Sequence, residues 1–424
     1  MATPILHREW RQALLAAIVL KLAALAVLYY GWHFIPKPLY PADLWMTRPA
    51  TSFGDNLVNF DGAWFVRLAA LGYRRLAAGD YDLAVETKRL RVLDTLGYQQ
   101  GLYPGDPERL DRGYGFRHWP LFPWLVRAFA LIVRDYVTAA VLLANLGSFA
   151  FALLFYALVR LDADHATALK ALLFASIHPG AYSLTAGFNE SLFMALTAGA
   201  FLAGRKDRWL WAGLLAGLAG MTRILGEIIL VPLLYEYLRR TCNPEAGPAP
   251  LSAVLGRENL RRAWQRFLIR PALLWLLLVP AGTGVVLLTF QQTAGSAWVF
   301  FGAHEANVHG HINWPWLMLM ETYRKGAQVW LKELPLHAAL LLVILKSLRH
   351  LRKSYLLWMI LFFLIQTANA NHSYLRYQIQ CLPLFIGLAE IGRRHPALEA
   401  GLIALSAGLF GVFATMFING YWTA

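Results

Sequence analysis

Charge is scarce in this chain. Of 424 residues only 15% are Asp, Glu, Lys or Arg, where about 25% is usual for soluble domains. Cysteine is scarcer still, at two residues. Little charge beside 58% apolar residues excludes both a disordered chain and an ordinary soluble globule. Two cysteines exclude a disulfide framework, and Cys242 in a basic loop is not expected to pair with Cys381 in an apolar run. No solenoid period or low-complexity tract occurs. No small-residue cleavage site follows the first apolar run, so that run is expected to be a retained anchor. What remains is an all-α polytopic membrane protein. Its 16 Trp and 18 Tyr suit the two interfaces of a bilayer.

A span needs roughly 20 apolar residues. The sequence predicts about 11 transmembrane helices, near 12–34, 136–159, 167–185, 190–204, 209–222, 225–238, 271–291, 327–345, 355–370, 375–391 and 397–418. The run from Trp119 to Val133 carries Pro120 and Pro123 and ends at Arg134, so it reads as an interfacial helix. With the N-terminus cytoplasmic, the inner segments hold 20 Lys and Arg and the outer ones four, leaving aside the long first outer loop 35–135. The net charge of +14 therefore reads as cytoplasmic loops, with no nucleic-acid partner expected. Residues 1–238, including loop 35–135, form one expected transmembrane module. A basic cytoplasmic loop, 239–270, and a C-terminal transmembrane module, 271–424, follow. Arg257 to Arg270 is basic and amphipathic and is expected on the inner leaflet.

Charge inside a membrane is expensive, so its placement is informative. On this topology the unusual polar residues gather at the outer face. They are Asp55 and Asp61, His118, Asn189 and Glu190, Arg223, the group His304, Glu305, His309 and His311, and the set Asn369, Asn371, His372, Arg376 and Tyr377. Each also has a plainer reading. Asp61 and Glu190 can cap helices. Arg223 and Glu227, at i and i+4, can pair. Arg376 can reach to head groups. The histidine group matches no closed zinc spacing and reads better as a solvated loop. Lys21, in mid-span, is expected to face the bundle.

These residues lie in motifs that resemble the PIG-V-like mannosyltransferases of the GT-C glycosyltransferase superfamily. Phe60-Asp61-Gly62-Ala63-Trp64 through Gly72-Tyr73 resembles the family's Trp-Asp followed by an amphipathic helix, with Phe60 where Trp is usual. Trp119-Pro120-Leu121-Phe122-Pro123 is similar to its Phe-Pro-x-x-Pro run. His178-Pro179 through Asn189-Glu190-Ser191-Leu192-Phe193, Thr222-Arg223 with Gly226, and Arg376-Tyr377 with Pro383 follow in the family's order.

The resemblance implies a GT-C-type fold with interfacial helices in the long first extracytoplasmic loop. It implies inverting transfer of mannose from a polyprenyl- or dolichyl-phosphate donor to an extracytoplasmic hydroxyl of a glycolipid or glycan. Asp61 matches the family's catalytic acid and is expected to be the base. Arg376, then Arg223 and His118, are expected at the donor phosphate, with Glu190, Asn189 and Tyr377 beside them. Phe60, Trp64 and Trp119 are expected to guide the lipid. No metal or other cofactor is expected, since guanidinium groups can neutralise one phosphate. A prokaryotic plasma membrane is the expected location, or the endoplasmic reticulum in a eukaryote. The competing expectations are a related GT-C enzyme with another lipid-linked sugar or a protein acceptor, and a lipid-linked sugar transporter. Inverted repeats, frequent in transporters, are not visible in the sequence.

Overall fold

The computed structural model describes residues 4–35, 52–78, 115–242, 251–269, 271–305, 313–324, 327–368 and 373–421. Every regular element among them is helical. In chain order these are α1 (Pro4–Phe34), α2 (Asp61–Ala78), α3 (Leu121–Val133), α4 (Tyr136–Val159), α5 (His165–Ile177), α6 (Glu190–Arg205), α7 (Trp209–Thr222) and α8 (Leu230–Cys242). Then come α9 (Arg257–Ile269), α10 (Leu278–Ala294), α11 (Val299–Glu305), α12 (Pro315–Arg324), α13 (Ala327–Ser347), α14 (Lys353–Thr367), α15 (Tyr374–Gln378), α16 (Leu382–Arg394) and α17 (Pro396–Ile418). The chain is an all-α polytopic membrane protein.

Among the described residues, four stretches are long and apolar enough to cross a bilayer by themselves: His7–Phe34, Tyr136–Val159, Ala272–Ala294 and Pro396–Ile418. Several other predicted spans are broken. The segment 167–185 is α5 followed, after Pro179 and Gly180, by the 3-10 turn Ala181–Leu184. The segment 225–238 begins as the 3-10 stretch Ile224–Ile229 because Arg223 is extended. The segment 375–391 divides into α15 and α16. A helix of 13 residues is about 20 Å long, short of the roughly 30 Å of hydrocarbon. These breaks therefore put non-helical backbone at membrane depth, where it must be buried in protein.

The segment 119–133, expected at the interface, forms the 13-residue helix α3. Phe122, Val126 and Ala130 of α3 are buried, facing α2 and α4, while Leu131 and Ile132 are strongly exposed. Arg134, in the left-handed region, ends α3, and the Asp135 carboxylate accepts from Thr138 N at 2.6 Å to start α4. In the basic loop, Asn259 Nδ2 donates to Leu238 O and Val254 O, which fastens α9 to the end of α8. Trp264, Leu268 and Ile269 of α9 stay exposed.

Lys21 does face the bundle. Its Nζ donates to Leu184 O at 3.0 Å and Thr185 Oγ1 at 3.1 Å. Asn145 Nδ2 donates to Thr185 O at 3.0 Å. Two polar side chains from α1 and α4 thus satisfy the broken segment between α5 and α6, which later supplies the site.

Helices α7 and α10 meet backbone to backbone, as small residues allow in membranes. A Cβ on Gly217 would run into the Leu278 carbonyl, and one on Gly282 into the Gly217 carbonyl. Gly217→Val is accordingly expected to lower stability by about 1–3 kcal/mol through overpacking. Thermal unfolding in detergent checks it, and an unchanged midpoint would show that the seam has slack.

Candidate active site

Asp61 is the first residue of α2, and the turn before it is held from two sides. Asn59 Nδ2 donates to Phe417 O at 3.1 Å, and Gly187 N donates to Leu57 O at 2.8 Å. Phe60 sits at φ 59, a conformation with a steric cost for a non-glycine residue. Its buried ring meets Phe417 at 6.0 Å. Helix α2 kinks at Gly72, where φ is 77. On the same helix Trp64 stacks on His118 at 6.1 Å, Phe65 meets His118 edge-on at 5.0 Å, and Tyr73 OH donates to the His118 carbonyl. The imidazole is thereby aimed at Asp61, with Nε2 3.5 Å from Oδ1.

Arg376 comes from α15, which packs on the loop after α5. A Cβ on Gly180 would lie 2.6 Å from Leu375 O and 3.0 Å from the Arg376 Cα, so only glycine lets the two segments approach this closely. His178 Nδ1 accepts from Gly180 N at 3.1 Å, and its Nε2 lies 3.2 Å from Gln378 Oε1. The Arg376 Nη2 donates to Asp61 Oδ2 and, at 3.2 Å, to Tyr377 OH. Its Nε lies 3.0 Å from Glu190 Oε1. The guanidinium rests between aromatic faces, 4.9 Å from the Tyr377 centroid and 5.0 Å from that of Phe188.

Glu190 starts α6, and the same Oε1 accepts from Arg223 Nη2 at 3.1 Å. Arg223 Nε donates to Asn189 Oδ1 at 3.0 Å and lies over Tyr377 at 4.7 Å, while Asn189 Nδ2 donates to Thr222 O at 2.9 Å. Burial pushes the Asp61 carboxyl up, but Arg376 and His118 outweigh it and hold it well below the ordinary carboxylate range. Two carboxylates, two guanidinium groups and an imidazole, drawn from five separate stretches of chain, thus form one cluster.

The plainer readings of these residues give way. The Asp61 carboxylate pairs with Arg376. The Glu190 carboxylate is bound by two arginines, and 1% of the residue is exposed. Arg376, at 2% exposure, does not reach for head groups. Arg223 does not pair with Glu227, whose Oε1 instead accepts from Thr283 Oγ1. Phe60, Trp64 and Trp119, expected to guide the lipid, are all buried; Trp64 stacks on His118, and Trp119 packs edge-on against Phe300. Phe188, Gly180 and the His178–Gln378 pair pack around Arg376 and its segment, although the sequence singled out only Asn189 and Glu190 within 178–193. His304 and Glu305 fall in α11. His309, His311, Asn369, Asn371 and His372 lie outside the described residues.

A second charged cluster occupies the opposite end of α6, at Arg205. Glu236 is gripped by Arg352 at 2.5 and 2.7 Å and by Ser354 Oγ at 2.5 Å, and Asp162 by Arg205 at 2.6 and 2.8 Å. That cluster is closed, with every carboxylate oxygen occupied. The Asp61 cluster is open, because Glu190 Oε2 has no hydrogen-bond partner among the described residues. A buried acceptor left over calls for a partner. Glu236→Gln is expected to cost about 3–5 kcal/mol by breaking a buried pair. Asp207→Asn, a more exposed neighbour held by Arg266, should cost about 1 kcal/mol or less. Thermal unfolding of the two variants compares them, and equal losses would refute the distinction. For Asp61 the sign follows from its lowered pKa. Its contribution is whole above about pH 4 and is lost only below that. The stability gap between wild type and Asp61→Asn should narrow only there, as acid titration of unfolding would show.

Residues 117–242 match the sequence profile of the dolichyl-phosphate-mannose-protein mannosyltransferase family. The matched stretch is under a third of the chain. It runs from beside His118 to the end of α8 and contains Asn189, Glu190 and Arg223, but neither Asp61 nor Arg376. No curated protein sequence matches the chain. Over the matched stretch the protein is thus similar to a family of membrane glycosyltransferases of the GT-C type.

Proposed function

We propose that the protein is a GT-C glycosyltransferase that moves mannose from a polyprenyl- or dolichyl-phosphate donor to an acceptor hydroxyl, with inversion. The observation that carries this is the open cluster of Asp61, His118, Glu190, Arg223 and Arg376 at one end of the helical bundle. The family match over 117–242 and the ordered PIG-V-like motifs support it from the sequence side.

The chemistry needs two things. A base must take the acceptor proton, and cations must receive the departing phosphate. Asp61 takes the proton as the acceptor oxygen bonds to the anomeric carbon. The carbon–oxygen bond to phosphate breaks on the opposite face, and the polyprenyl phosphate leaves with the electron pair. The proton passes from Asp61 to solvent. Arg376 and Arg223 supply the positive charge, and a guanidinium can fork onto two phosphate oxygens. Glu190 holds both arginines on one oxygen, and His118 steadies the free side of Asp61. This reading needs no metal.

The basic residues Arg205, Arg239, Arg240 and Arg352 lie at the end of the bundle away from Asp61, which supports a site on the extracytoplasmic side. The acceptor is a hydroxyl on a glycolipid or glycan in the PIG-V-like reading. The matched family's description favours a second reading, a hydroxyl on a protein. A plasma membrane of prokaryotic type fits the compact loops.

The test is transfer of label from polyprenyl-phosphoryl mannose into a membrane extract by purified protein, with EDTA present. Asp61→Asn should lower turnover by about 10²-fold or more per folded molecule. Full turnover in that variant would remove Asp61 as the base. Activity lost in EDTA and restored by Mn²⁺ would overturn the metal-free reading.

A further inference from the structure

We propose that Arg376 masks the base: it holds Asp61 until a donor phosphate draws it away, so that donor must bind before an acceptor hydroxyl can be activated. This rests on the donor and base roles argued above.

The geometry gives Asp61 no free oxygen. Oδ2 is bound by Arg376, and Oδ1 faces His118 Nε2 at 3.5 Å. A carboxylate so held is a weak base, because taking a proton means giving up its ion pair. The groups around it are His118 from the 3-10 turn Gly115–Arg117 and its exit, Glu190 from α6, Arg223 from the break after α7, and Arg376 and Tyr377 from α15. Two carboxylates and two guanidinium groups balance to zero, leaving the imidazole aside. Among the described residues the cluster's own charges thus already balance, so an anion that enters it competes for an arginine that is already paired.

Arg376 is the one placed to exchange. Its Nε lies by Glu190 and its flat face rests on Phe188 and Tyr377, while its Nη2 reaches Asp61. The anchored side can stay while the far side turns from carboxylate to phosphate. Glu190 Oε2, which has no hydrogen-bond partner among the described residues, can accept as the guanidinium turns. Asp61 is then left beside an added negative charge, which makes it a stronger base at the moment a sugar is in place. The same swing binds the leaving group and releases the base.

A double-mutant cycle tests this, because it isolates coupling between two residues. The probe is farnesyl-phosphoryl mannose, a phosphodiester, titrated into wild type, Asp61→Asn, Arg376→Gln and the double variant. Asp61→Asn should bind it about tenfold more tightly, a usual size for such coupling, because Arg376 no longer has to leave a carboxylate. In the Arg376→Gln background the same change should alter affinity by about twofold or less. An equal gain in both backgrounds would reduce the effect to general electrostatics and overturn the mask, as would no gain with Arg376 present. If folded wild type and Asp61→Asn both fail to bind the probe, the donor reading itself falls and the mask with it. A second measurement avoids Arg376 variants. The infrared carboxylate stretch of Asp61, isolated as wild type minus Asp61→Asn, should shift when the probe is added. Binding without that shift would overturn the mask and leave the donor reading standing.

Discussion

The ion pair between Asp61 and Arg376 joins residues 315 positions apart, and most of the site's geometry follows from it. Neither charge is tolerable alone in a low-dielectric setting, so the segments bearing them must meet. Glu190 makes the meeting possible by placing a second carboxylate against Arg376 and a first against Arg223. The aromatic faces of Phe188 and Tyr377 flank the guanidinium. Remove any of these and a buried charge is left with too few partners.

The two charged clusters at the ends of α6 show how similar residues serve different ends. Around Glu236 and Asp162 the bonds are short, forked and complete, which ties the loop after α4 to the end of α6, and the middle of α8 to the start of α14. Around Asp61 one carboxylate oxygen is left over and one guanidinium serves two acids. A complete network rigidifies, and an incomplete one is poised to accept a ligand. Location alone would not distinguish them, since both are buried.

Much of this was legible in the sequence because charge is so rare in it. The candidate residues were found by asking which polar groups share one face, and Asp61, His118, Asn189, Glu190, Arg223, Arg376 and Tyr377 do come together. Their partners were less legible. Arg223 and Glu227 look like a helical i, i+4 pair, but Arg223 is extended, at φ −159 and ψ 144, and a 3-10 stretch follows. The periodicity that would place them side by side does not exist there. The Glu236 cluster was missed because its arginines were counted as loop charge. The clue was an acid inside the apolar run Leu230 to Tyr237. Lys21 was seen to face inward, but its acceptors on a broken segment cannot be read from a linear apolar run.

The breaks in the helices are themselves the link between fold and site. Asp61 follows a residue at positive φ. Glu190 follows the irregular stretch 178–189, Arg223 is itself the break after α7, and Arg376 sits in a five-residue helix between two interruptions. A regular span has all its backbone groups bonded and points its side chains around a cylinder, so it cannot aim several charges at one point. Interrupting it frees backbone groups that must then be satisfied by protein, as Lys21 and Asn145 do for 184–185. The interruption also turns the chain so that the next side chain faces inward. The chain bears that cost four times at one end of the bundle and directs the resulting charges at each other. At the other end, Arg205 and Arg352 sit on or beside ordinary helix ends, and Glu236 lies within the regular helix α8. Helix breaks recur where the site's charges converge, whereas the bracing charges join regular helices, with Asp207 at φ 60 in the turn after α6, and that contrast separates a site from a strut.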